Sequence, residues 1–246
     1  YYELLLCDFI VIVFFCFLFF FFLCLCVFFF FFVFFFFFQA EDGIRDFCLS
    51  RGLGDCIRDS SIAQNEGATV LNETKMGYGH ACLKGIEYAT NKIDNDRPNI
   101  IIFLDGDYSD YPEDMRELVL PIIGNDIDLV IGSRNLGNAE EGALMPQQVF
   151  GNWLATTLIR FLYGMKFTDL GPFRAIKFDK LLELNMVDKT YGWTVEMQVK
   201  AAKQKFKCTE IPVNYRKRIG VSKITGTLSG SFKAGYKILW TIFKYI

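Results

Sequence analysis

NIIIFLDGD, residues 99–107, is a run of five consecutive apolar residues that ends in two acids one residue apart. A continuous apolar run of this length, bounded by polar residues, reads as a strand buried on both faces, the usual look of a parallel sheet. The acids Asp105 and Asp107 follow it directly, at the carboxyl end of the strand, where open α/β sheets bind their ligands. Two carboxylates separated by Gly106 can hold Mg²⁺ or Mn²⁺ while the remaining positions of the ion take diphosphate oxygens. The bland alternative is a solvated acidic turn between a strand and a helix.

Working outward, DLVIGSR (residues 128–134) reads as a second buried strand, ATVLN (68–72) as a short strand, and KCTEIPVNYRKR (207–218) as a late one. Helices are expected over residues 79–92, where Ala81, Leu83, Ile86 and Ala89 make an apolar stripe, and over 147–163, 194–204 and from 228. A further helix start is marked by Pro112 with Glu113, Asp114 and Glu117, since proline suits a first turn and acids complement its dipole. Strands alternating with helices imply a layered α/β fold with a mainly parallel sheet.

Composition divides the chain. Of its 28 Phe, 18 fall in the first 38 positions, and from Phe47 onward 25 Lys and Arg stand against 23 Asp and Glu. That balance carries no electrostatic footprint for nucleic acid. The eight Cys show neither CxxC pairs nor a Cys/His cluster at zinc spacing, and read as free thiols. A single histidine, His80, excludes any mechanism that needs two.

Residues 9–38 are long and apolar enough to cross a bilayer, so residues 1–46 read literally as a membrane anchor. A near-homopolymer of Phe is unlike natural spans, however, and QAEDGIRD (39–46) is the direct translation of a widely used short-read sequencing adapter. The reading adopted is an artefactual segment over 1–46 and one catalytic domain over 47–246.

In order along the chain stand GYGHACLKGI, DGD, VIGSR, DLGPFRA, WTVEM and RKRIGVSK. Together they resemble the family 2 glycosyltransferases, with a closer likeness to dolichyl-phosphate mannosyltransferase and polyprenyl-phosphate glycosyltransferases. The resemblance covers about residues 60–240 and implies the GT-A fold, a Rossmann-like mainly parallel sheet between helices. It also implies inverting sugar transfer from a UDP- or GDP-linked donor, with Mg²⁺ or Mn²⁺ as cofactor. Asp105 is then the acid that contacts the nucleotide and Asp107 the metal ligand; Gly77, Tyr78 and Gly79 lie beside the donor. Arg134, Arg174, Arg218, Ser222 and Lys223 face anionic substrate. Glu196 stands near the catalytic carboxylate of sugar-acceptor relatives, either as a base or as a positioning group. Relatives with phosphate acceptors often carry Gln where this chain has Ser109, which leaves a third protein ligand unassigned.

The resemblance also defines what is missing. A first strand ending in Asn-Glu and a DNxSTD-like turn have no recognisable counterpart; only Asp55 or Asp59 could be a remnant. The expectation is a sheet lacking its first strands, and weak donor binding by residues 47–246. Two rivals stay open: a sugar-1-phosphate nucleotidyltransferase, and a catalytically inactive, membrane-anchored fragment. The C-terminal GSFKAGYKILWTIFKYI spaces Phe232, Tyr236, Leu239, Trp240 and Phe243 along one face among lysines. That pattern suits peripheral contact with a bilayer and a lipid-phosphate acceptor, or a helix packed on its own domain. The implied location is the cytoplasm, at the inner face of the plasma membrane.

Overall fold

A computed structural model describes residues 63–65, 67–75, 77–93, 97–217 and 228–246. Residues 1–62, and with them Asp55 and Asp59, lie outside the described residues, as do Arg218, Ser222 and Lys223.

The elements run α1 (Tyr78–Thr90), β1 (Ile100–Phe103), a 3₁₀ turn (Pro112–Asp114), α2 (Met115–Asn125), β2 (Leu129–Ser133), α3 (Pro146–Tyr163), β3 (Arg174–Lys177), α4 (Phe178–Leu184), α5 (Trp193–Lys203), β4 (Cys208–Pro212) and α6 (Leu228–Lys244). The helices expected from apolar periodicity form within one or two residues of their expected bounds. Pro112 opens the 3₁₀ turn that leads into α2, where its missing N–H costs nothing.

The sheet order is β1-β3-β2-β4. β3 pairs antiparallel with β1 and with β2, and β2 pairs parallel with β4. The expectation of a mainly parallel sheet is therefore corrected: two of the three ladders are antiparallel. β1, β2 and β4 do share one direction, but the single reversed strand lies between β1 and β2 and so converts both of their ladders. That strand, RAIK, has four residues with a charged group at each end, and α4 begins at the next residue. ATVLN is not a strand either: residues 68–72 are irregular, and no described segment offers them a ladder. Among the described residues nothing pairs with the outer edge of β1, whose four residues are half-buried while all five of β2 are buried.

Alternation along the strands sorts the core into two layers. Leu129, Ile131 and Ile176 face one side, packing with Ala155 and Ile159 of α3, Leu181 and Leu184 of α4, Val195 and Val199 of α5 and Ile242 of α6. Val130 and Ala175 face the other, against Leu118 and Ile122 of α2, Phe173 and Val213. Each Val, Leu, Ile or Phe side chain among these, taken fully out of water, contributes about 1.5–3 kcal/mol.

α6 is docked by one face. Ile242 and Thr241 are buried, Tyr163 Oη donates to the Ile242 carbonyl at 2.5 Å, and Lys237 pairs with Asp188 at 2.8 Å. Its other face leaves Phe232, Tyr236, Trp240 and Phe243 about half exposed. No described helix is long and apolar enough to cross a membrane.

Candidate active site

Because β1, β2 and β4 run the same way, the segments that leave them (104–111, 134–138 and 213–217) emerge at one end of the sheet. The reversed β3 enters at that same end. Its register sets Arg174 opposite both Phe103 and Ile131, level with the point where the acidic loop begins.

The acidic loop is closed on itself. Asp107 Oδ1 accepts from the Ser109 amide at 3.0 Å and from the Ser109 hydroxyl. Asp110 Oδ2 accepts from the Asp105 amide at 3.4 Å. Between them Tyr108 takes φ 71°, the left-handed region, in which a bulky residue is strained by about 1–3 kcal/mol. Asp110 is buried, and its Oδ1 has no partner in the structure. Burial, and after it the Asp105 charge, push the Asp110 carboxyl up to about 6.

The strand after β2 and the segment before β3 meet in a buried ion pair. Arg134 Nε and its amide both donate to Asp169 Oδ2 at 2.8 Å, and its terminal nitrogen donates to Oδ1 at 2.6 Å. Burial by itself would raise the Asp169 carboxyl, but the hydrogen bonds and charge of Arg134, with the Gly171 amide, together outweigh it and hold the group below the usual carboxylate range. Glu210 of β4 accepts from the Thr168 and Asp169 amides, and Asn152 of α3 accepts from the Leu170 amide. DLGPFR is thus pinned by three neighbouring elements.

Arg174 is fully buried, and its fork donates to the carbonyls of Thr194 at 2.9 Å, Leu170 at 3.2 Å and Gly171. Burial lowers its pKa to about 10. Of the two arginines expected at anionic substrate, Arg174 lies wholly inside the protein among backbone carbonyls, whereas Arg134 is paired with Asp169, lies over the Tyr215 ring and keeps part of its side chain exposed.

Glu196, expected either as a base or as a positioning group, sits among structural partners. It is fully buried in the first turn of α5 and accepts from the Val187 amide at 3.2 Å, the Asp188 amide at 2.7 Å and Tyr245 Oη at 2.6 Å. Lys200 pairs with it at 2.8 Å. It ties the 187–188 turn to α6 and has no accessible surface from which to act as a base on an acceptor.

Gly77 and Gly79 explain themselves by close approach. A Cβ on Gly77, at φ 134°, would sit 2.2 Å from the Lys189 carbonyl oxygen, and one on Gly79 2.1 Å from that of Asp188. They bring α1 against the 188–189 backbone. The Tyr78 hydroxyl and the Cys82 thiol, one helical turn on, are pushed up, chiefly by burial and further by the Asp105 charge. Cys82 reaches about 12.

Arg216 opens the motif RKRIGVSK, and no role of its own was expected for it. In the structure its guanidinium carbon lies 3.2 Å from the Tyr108 ring centre and 4.3 Å from that of Tyr111, and it donates to the carbonyls of Tyr108 and Asp110. The signal available was DGDYSDY itself, with two tyrosines and a third acid just past the pair.

Residues 55–184, more than half of the chain, match the profile described as glycosyl transferase family 2. The chain belongs to that family. An uncharacterized glycosyltransferase of Mycobacterium bovis is 30% identical over 177 residues, covering 71% of this chain and 76% of its own length. The undecaprenyl-phosphate mannosyltransferase of Micrococcus luteus is 27% identical over 185 residues, covering 73% of each. Among solved structures, glucosyl-3-phosphoglycerate synthase from Mycobacterium tuberculosis in complex with phosphoglyceric acid superposes with a TM-score of 0.54 at 18% identity, over 77% of this chain and 65% of that one. Mannosyl-3-phosphoglycerate synthase from Rubrobacter xylanophilus gives a TM-score of 0.56 at 13% identity, over 75% and 58%. These likenesses share the GT-A fold. The chain spans less than two thirds of the length of either solved relative.

Proposed function

We propose that this chain transfers a hexosyl group, with inversion, from a UDP- or GDP-linked sugar to a polyprenyl phosphate or a similar lipid-phosphate acceptor. The observation that carries the reading is the pair Asp105 and Asp107, held in a closed loop at the carboxyl end of β1 in a family 2 chain.

Asp105 is assigned to the nucleotide and Asp107 to the cation. Among the described residues no three His, Cys, Asp or Glu side chains gather into a metal cage. Mg²⁺ or Mn²⁺ fits such a site by taking carboxylate oxygens from this chain and completing its shell with diphosphate oxygens and water. The cation supplies neutralisation of the charge on the departing nucleoside diphosphate. Solved relatives support the assignment: the synthase from Mycobacterium tuberculosis is described in complex with Mn²⁺, UDP-glucose and phosphoglyceric acid.

The burial of Glu196 favours a phosphate acceptor. An ionised phosphate needs no general base, whereas a sugar hydroxyl does. The Micrococcus luteus relative and a dolichyl-phosphate hexose transferase of Haloferax volcanii point the same way by name. The half-exposed aromatic residues of α6, interspersed with Lys233, Lys237 and Lys244, suit a bilayer surface where such an acceptor resides. Gly77, Tyr78 and Gly79 border the donor site through Tyr78, and Arg218, Ser222 and Lys223 are assigned to the diphosphate.

The test is metal-stimulated nucleotide release by the full-length protein. Asp107→Asn is expected to lower it about a hundredfold or more, the scale of losing a group that stabilises developing charge. Undiminished release would sink the assignment.

A further inference from the structure

We propose that Arg216 is a positioning residue that holds the acidic loop, residues 105–111, in the conformation that presents Asp105 and Asp107. This rests on the donor-site reading above.

The attachment is redundant. The Arg216 amide donates to the Ser109 carbonyl at 3.0 Å, its side chain donates to the carbonyls of Tyr108 and Asp110, and its guanidinium plane lies against the rings of Tyr108 and Tyr111. The preceding residue, Tyr215, forms an antiparallel bridge with Asp110 and a parallel one with Ala139. Asp110 in turn holds the Asp105 amide. The segment after β4 is therefore the outer wall of the acidic loop.

The strained residue shows why the wall is needed. Tyr108 stands between Asp107 and Ser109 with φ 71°, a conformation that persists only where its surroundings fix it. Arg216 touches both ends of that residue, ring and carbonyl. A planar cation with several donors suits this double task, and an ammonium does not, because it cannot lie flat on a ring while forking to two carbonyls. The guanidinium so engaged is committed to the loop and is not spare for a phosphate.

The test compares Arg216→Lys, Tyr111→Leu and the double variant in the full chain. Hydrogen–deuterium exchange of the peptide covering residues 105–111 is read without ligand, and Mn²⁺ binding in the presence of UDP is read by electron paramagnetic resonance. Each single variant is expected to speed exchange and to weaken Mn²⁺ binding about fivefold, the scale of a lost cation–π contact that is partly open to water. The double variant is expected to lose little more than the worse single, since both changes break one unit. Turnover at saturating Mn²⁺ is expected to return to near the parent value in Arg216→Lys, because the acids themselves are intact.

Unchanged exchange, additive losses, or a Lys variant that binds Mn²⁺ and UDP normally would overturn the proposal and mark Arg216 as a phosphate ligand or a bystander. A parent chain that binds no Mn²⁺ at all sinks the donor-site reading on which the proposal rests, and exchange then decides the latch alone.

Discussion

Residues 105–111 and residues 168–174 enter the same end of the sheet, and they solve opposite problems. The first loop leaves Asp105 and Asp107 partly exposed while it buries Asp110, carries a strained tyrosine, and is held from outside by an arginine laid on two rings. The second turns its charges inward, where Asp169 and Arg134 neutralise each other and Arg174 is taken up by carbonyls. Both segments stand among the motifs that mark the family, yet one stays partly open and the other is turned into the frame behind it. A charged residue in a motif can serve by being consumed inside the protein.

This contrast breaks most sharply at Asp169. Asp169→Ala is expected to cost about 3–5 kcal/mol in urea unfolding, because it leaves the Arg134 guanidinium buried without its counter-charge. A loss below about 1 kcal/mol, the range of an exposed pair, would show that the frame is not built on this pair.

The next largest effect is expected at Asp110, and it depends on pH. A carboxyl raised to about 6 from its ordinary 3.8 binds its proton more tightly in the folded chain. Its contribution to stability is complete below about pH 4 and is lost as pH rises through 6, by an amount on the order of 1–3 kcal/mol. Asp110→Asn removes that slope, so the variant should gain on the parent between pH 5 and pH 8. Parallel pH profiles for the two would place the orphan oxygen of Asp110 in contact with water.

The smallest expected effect is the stability change in Asp107→Asn, within about 0.5 kcal/mol, since the amide oxygen can still accept from Ser109. With nucleotide release falling about a hundredfold, that variant would separate chemistry from frame in a single substitution. A large loss of stability would merge the two regions again.

Much of this division was hidden in the sequence for physical reasons. β1, β2 and the helices other than α4 were legible because apolar runs and helical stripes are local signals, and the acid pair was legible because it ends a strand. β3 was not, since a four-residue strand with Arg at one end and Lys at the other shows no pattern until it has neighbours. The inward turn of Arg134 depends on Asp169, 35 positions away, and that of Glu196 on Tyr245, 49 positions away. Which way a motif arginine points is decided by tertiary partners, and no spacing rule contains them. The role of Arg216 was not legible because its stacking partners, Tyr108 and Tyr111, lie more than a hundred residues away.

The reversed central strand also sets an order of events. β1 and β2 each pair with β3 and never with each other in the described sheet, so neither can close its inner ladder until residues 174–177 have been made and inserted. The acidic loop is synthesised early but is fixed in place late, once β3 has bridged the two strands and the segment after β4 has come round to cover it. A chain of this connectivity pays loop-closure entropy before its sheet rewards it, and slow, non-local assembly is the kinetic signature expected of the site.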